Sequence, residues 1–176
     1  MDSGLQNLRQ ELQNAIDGMP GADLCRHPAP GKWSVAEILE HLYLSYTGTA
    51  KGLEKMLERG NPLATKPSMR HRVRSLVVFG FNYLPSGRES PPAARPKGLP
   101  CDKVVAEFGE ALAGMDALLL QGEMRFGRTT ALLDHPIMGP FSATQWRKFH
   151  CIHGRHHLKQ IVHLRQLILS GGRCGR

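Results

Sequence analysis

Long hydrophobic runs are missing from this sequence. The longest, such as LVVFGF over residues 76–81, fall far short of the ~20 residues a membrane-crossing helix needs. The start, MDSGLQNLRQELQ, has no basic segment followed by an apolar one. It therefore reads as no signal peptide, and a cytoplasmic location is expected. Cysteine is sparse: Cys25, Cys101, Cys151 and Cys174 form no C-x-x-C pair and match no zinc spacing. They read as reduced thiols rather than as a disulfide frame. Aromatic residues are only 6% of the chain, and none are interleaved with a basic patch of the kind that stacks bases. Internal repeats are absent, and no stretch alternates convincingly as a strand.

Acidic residues are also short, 15 against 23 Lys and Arg, which leaves a net charge of +8. That balance invites a nucleic-acid reading, because basic side chains neutralise phosphates. The basic residues are scattered, however: Arg70, Arg72 and Arg74, then Arg88, Arg95 and Lys97, then Arg147 and Lys148, then the tail GGRCGR. They read better as a solvated face. Neither a membrane nor a nucleic acid is the expected partner.

What remains is helical. The 176 residues suffice for one domain with its own core, expected over 1–170 with a flexible tail at 171–176. Leu5, Leu8, Leu12 and Ile16 mark a first helix over about residues 4–17. A second starts at the capping box Ser34–Glu37, carries a stripe from Val35 through Leu39, Leu42, Tyr46 and Leu53 to Leu57, and stops near Gly60. Residues 71–84 read as either a short helix or an apolar arm. PSGRESPPAARPKGLP, residues 85–100, reads as an exposed, mobile proline-rich loop. A third long helix is expected from about Asp102 to Gln121 and a loop over 122–141. A last helix runs from the capping box Ser142–Gln145 to about Ser170. Four amphipathic helices with a long irregular connection between the second and third describe an all-α bundle.

The chemistry gathers in HCIHGRHHLKQ, residues 150–160, which holds four of the nine histidines. At ~100° per residue, Trp146, Phe149, Ile161 and Leu164 share a face, with Arg147, Lys148, Arg155 and Lys159 away from it. His153, His157 and Gln160 fall inside the apolar stripe and His150 at its edge, while His156 and His163 lie on the other flank. Imidazoles buried among Trp, Phe and Leu cost free energy unless their nitrogens find partners. Two histidines one turn apart, ~6 Å along the axis, can address one cation. With no carboxylate in this run, a third ligand must come from another helix. His41, in WSVAEILEHLYLSY, is the best donor. Glu37, one turn before it, could orient its other nitrogen or itself ligate. Three histidines with an open position suit Zn²⁺, Ni²⁺ or Fe²⁺ and are built for chemistry rather than structure. Gln160, Glu37, Tyr43, His150 and His135 are candidates to complete the surroundings. His27 and His71 read as solvent-facing.

GKWSVAEILEHL followed by QWRKFHCIHGRHHLKQI resembles the DinB-like (YfiT-like) superfamily. Its hallmark is a histidine on the second bundle helix and an H-x-x-H-H-x-x-Q-[IL] run on the last. The resemblance implies an up-down-down-up four-helix bundle, often dimeric. It also implies a divalent metal, zinc or nickel and sometimes iron, on His41, His153 and His157. Members with known activity include S-transferases that use bacillithiol, mycothiol or glutathione, and a mycothiol-dependent isomerase. A metal-dependent enzyme acting on a small molecule is therefore expected, either a thiol-dependent S-transferase or a metal-assisted hydrolase. The rival expectation is a non-catalytic, stress-associated or nucleic-acid-binding module with a structural metal. Residues 60–100 have no counterpart in the resemblance.

Overall fold

A computed structural model describes residues 1–81 and 90–171. Four long helices carry the fold: α1 (Ser3–Ile16), α3 (Val35–Arg59), α5 (Cys101–Phe126) and α6 (Ala143–Gly171). Between them lie short α2 (Gly21–Leu24), α4 (Met69–Phe81), a 3₁₀ turn (Pro92–Ala94), and strands β1 (Ala131–His135) and β2 (Gly139–Ser142). Side chains cap three of the four long helices, while α5 starts after Pro100 without a side-chain cap. The Asp2 carboxylate accepts from the amides of Gly4 and Leu5 at 2.9 and 3.2 Å. Both expected capping boxes form: Ser34 with Glu37, and Ser142 with Gln145. Such caps stabilise a helix by about 1 kcal/mol each.

α3 packs on α5 and α1 on α6, with further contacts of α6 with α3 and α5. Leu5, Leu8 and Leu12 of α1 meet Leu39, Leu42 and Leu53 of α3, Phe108 and Leu112 of α5, and Ile161 of α6 in one core. At Gly154 the α1 and α6 backbones approach so closely that a Cβ would run into the buried Leu8 side chain.

Three sequence expectations are corrected. Residues 122–141 are not a loop: α5 runs on to Phe126, and β1 pairs antiparallel with β2, Leu133 opposite Phe141 and His135 opposite Gly139. Strands of five and four residues, with a bulge between Ala131 and Leu133, are too short to show an alternation. The hairpin still buries Leu132, Leu133, Met138 and Phe141 in the core; it adds a small two-stranded sheet to a mostly helical fold, which the all-α expectation broadly fits. The 18–33 connection contains the unforeseen turn α2. The described part of the proline-rich loop, from Ser90 to Pro100, is hydrogen-bonded to α3 rather than free. Residues 82–89 and the tail from 172 lie outside the described residues. The arm-or-helix alternative resolves as α4, whose one buried apolar residue is Val78 and which exposes Met69, Val73, Leu76 and Phe81. Among the described residues, no helix is long and apolar enough to cross a membrane.

Candidate metal centre

α3 and α6 face each other where their apolar stripes carry imidazoles. α3 presents His41, and α6 presents His153 and, one turn on, His157. The fold brings the three together as the helical spacing anticipates. The Nε2 atoms of His41 and His153 are 2.9 Å apart, and those of His157 and His153 are 3.1 Å apart. The rings meet edge-on, with pairwise centroid distances of 4.9, 4.8 and 4.7 Å. All three residues are at least nine-tenths buried.

The hydrogen bonds behind the rings fix their tautomers. His41 Nδ1 lies 2.7 Å from the Ala94 carbonyl, which can only accept, so Nδ1 carries the proton and Nε2 a lone pair. Gln160 Oε1 accepts from His157 Nδ1–H at 2.8 Å, while the Gln160 amide nitrogen donates to His156 at 3.2 Å. That orients Gln160 and leaves a lone pair on His157 Nε2. Two lone pairs thus converge on the Nε2 atom of His153, whose own Nδ1 is buried without a partner among the described residues. A proton on His153 Nε2 serves both poorly, and a lone pair there makes three facing one another.

Protonation does not relieve this. Burial, then the His157 and His41 charges, hold His153 well below the ordinary imidazole value. Burial followed by the His41 charge depresses His157 to about 3, although the bond to Gln160 opposes the shift. Burial also lowers His41, against the raising effect of its bond to Ala94. Three neutral imidazoles converging by one nitrogen each are the donor set a divalent cation requires. These residues fit such an ion, and their donor atoms all lie within 4.8 Å of one another.

The triad sits in the wall of an open cavity of about 1450 Å³ between α3, α4, the 90–96 segment, the hairpin and α6. Of the other expected residues, Gln160 holds His157 directly. Glu37 lines the cavity but does not orient His41. Its carboxylate closes the α3 cap and lies 3.5 Å from His27 Nδ1, and the Ala94 carbonyl takes the position expected for it. Tyr43 donates to Glu107 at 3.0 Å on the exposed α3–α5 flank, away from the cavity.

Fully buried His150 and partly buried His135 form a second imidazole layer along the cavity. The Thr49 hydroxyl donates to the Ser45 carbonyl, so it accepts from His150 Nε2–H at 3.2 Å, and His150 Nδ1 has no partner among the described residues. The buried Tyr46 and Trp146 rings flank His150, at 5.4 and 5.6 Å. His135 Nδ1 accepts the amides of Ile137 and Met138 at 3.1 and 3.2 Å, and its ring lies 4.5 Å from Phe149. Burial lowers His135 to about 4; burial and the His135 charge lower His150 to about 3. His156 and His163 line the cavity from the flank of α6.

Two contributors escape sequence reasoning. Ala94 acts only through its carbonyl, to which a sequence gives no pointer. Glu40 is almost wholly buried, and its signal was available: a carboxylate inside the otherwise apolar run ILEHL of a helix.

The model of the DinB superfamily matches residues 5–161, a span that includes His41, His153 and His157. No curated protein matches the chain.

Proposed function

The chain belongs to the DinB superfamily, and on that premise we propose that it is a metal-dependent enzyme using His41, His153 and His157 as ligands, with thiol-dependent S-transfer its most direct activity. The observation that carries the reading is the convergence of three neutral imidazole nitrogens at the wall of a cavity large enough for a small-molecule substrate. A closed four-ligand site serves structure, whereas three protein ligands leave a position for chemistry. That geometry weighs against the rival reading of a structural metal in a binding module.

Bound there, a zinc, nickel or iron ion supplies Lewis acidity that favours the thiolate of a low-molecular-weight thiol, or that lowers the pKa of water. The protein's share is positioning. Ala94 and Gln160 hold the outer nitrogens of His41 and His157, so both rings present Nε2 without a proton. Trp33, at 5.2 Å from His41, and Phe149, stacked at 5.3 Å on His153, limit ring rotation and solvent access. The carboxylates on the cavity wall, Glu37 and Asp134, already accept the amides of Ser34 and Thr65. Hydrolysis needs a free general base more than thiol chemistry does, because a thiol at ~8.5 deprotonates far more readily than water. That ease of deprotonation, rather than any lack of bases in a cavity that also holds His156 and His163, supports the transferase over the hydrolase.

The proposal extends to an up-down-down-up order for the four long helices, a homodimer in the cytoplasm, and no nucleic-acid partner. Metal-loaded protein screened with bacillithiol, mycothiol and glutathione against alkyl and epoxide electrophiles tests the activity. Turnover that disappears in His157→Ala is expected. Turnover unchanged in that variant would overturn the assignment.

A further inference from the structure

Consecutive residues of α3 grip one short segment of the proline-rich loop. His41 Nδ1–H donates to the Ala94 carbonyl at 2.7 Å. Glu40 Oε1 accepts from the Lys97 amide at 2.6 Å and Oε2 from the Gly98 amide at 3.2 Å, one amide per oxygen. Glu40 is 2% exposed, so its carboxylate is committed to these two donors inside the fold. A buried carboxylate is costly unless hydrogen-bonded, and the loop amides supply that compensation.

The loop sequence makes the grip specific. Pro96 and Pro100 bracket the segment and have no N–H, so Lys97, Gly98 and Leu99 are the amide donors between them. Gly98 has φ 81°, a left-handed turn that points its amide and that of Lys97 together at Glu40. Nothing lies within 4 Å of where a Gly98 Cβ would stand, so the conformation and not the space requires glycine. Four residues upstream of Gly98, Ala94 is thereby held where its carbonyl fixes the His41 tautomer. The same segment, through Ser90, Pro91, Ala93 and Pro96, forms one wall of the cavity.

We propose that Glu40 is a positioning residue that clasps the 94–98 segment to α3, so that the backbone of the cavity wall sets the orientation and tautomer of the metal ligand His41. Glu40 touches neither the triad nor the cavity contents; it acts through the Ala94 carbonyl. The inference rests on the metal reading for its functional consequence, but the clasp itself exists without a metal.

Glu40→Gln separates the two. An amide offers one acceptor oxygen, and its NH₂ group would face a backbone N–H, so the clasp loses a bond and gains a donor–donor conflict. Zn²⁺ affinity, read by competition with a chromophoric chelator, is expected to fall about 10–100-fold, the usual effect of losing a histidine ligand's outer partner. In the metal-free wild type, imidazole ¹⁵N NMR should show a slowly exchanging His41 Nδ1–H resonance, and the variant should lose it. Gly98→Ala, which strains the loop turn without touching α3, should move both readouts in the same direction. It decides the matter if Glu40→Gln does not fold. Folded variants that keep wild-type zinc affinity and the His41 resonance overturn the clasp. A wild-type chain that takes up no zinc overturns the metal reading instead, and the resonance still tests the clasp.

Discussion

His150 and His135 make the chain sensitive to acid in a way that can be worked out from their burial. Neither is among the proposed metal ligands, and both are held neutral: burial brings His150 to about 3 and His135 to about 4, against 6.5 for a free imidazole. The unfolded chain therefore takes up protons, as pH falls below 6.5, that the folded chain refuses. The stability these two residues contribute is complete above 6.5 and is lost as pH drops towards their folded values. Each loses about 1.4 kcal/mol per pH unit, so the pair costs about 4 kcal/mol by pH 5. Against a typical total of about 5–15 kcal/mol, that is a large share. The perturbation that isolates it is His150→Phe, which keeps an aromatic ring between Tyr46 and Trp146 but cannot titrate. Urea unfolding of metal-free wild type and variant, followed by circular dichroism at steps from pH 7 to 4, gives stability against pH. The wild-type slope should exceed that of the variant by about 1.4 kcal/mol per unit below pH 6, the signature of one withheld proton. The metal-free triad titrates in both proteins and cancels. Parallel slopes would refute the reasoning, because they would mean that folded His150 protonates as freely as the unfolded residue.

Other predictions follow from single contacts. Gln160→Leu removes the acceptor from His157 Nδ1–H and should weaken zinc binding about 10-fold, measured by chelator competition, while the metal-free protein stays folded. Arg147 is largely buried between Asp116, at 2.6 Å, and Glu123; Arg147→Ala leaves Asp116 with only the Asp2 amide and Glu123 with only the more distant Arg128, and should cost up to about 3 kcal/mol in urea unfolding. Gly154→Ala drives a methyl into buried Leu8 where α1 meets α6, and should cost about 1–3 kcal/mol by the same assay. Double-stranded DNA should bind weakly at ~0.15 M salt; tight binding with a steep salt slope would revive the nucleic-acid reading.

How much of this was legible in the sequence depended on the length of each signal. α3, α5 and α6 carry apolar stripes over 25, 26 and 29 residues, enough turns for a period of 3.6 to stand out. The same wheel separated His153 and His157 from His156, and the structure brings the first two together with His41. The hairpin carried too few residues for a period, and it is held by Leu133 and Phe141 packing into a core that local sequence does not display. Glu37 is engaged elsewhere than at His41 for a related reason. Its spacing to His41 is right for contact along the helix, but the amide of the N-cap residue Ser34 competes for its carboxylate and wins. The group that does hold His41 is a backbone carbonyl from 53 residues away, set by a loop fold and not by any side chain.

The most direct test of the central claim is the metal content of protein purified without a nickel column. Elemental analysis should find about one zinc, nickel or iron per chain in the wild type. His41→Ala, His153→Ala and His157→Ala should each lose it while remaining folded. A full complement of metal in any one of these variants would contradict the three-histidine centre.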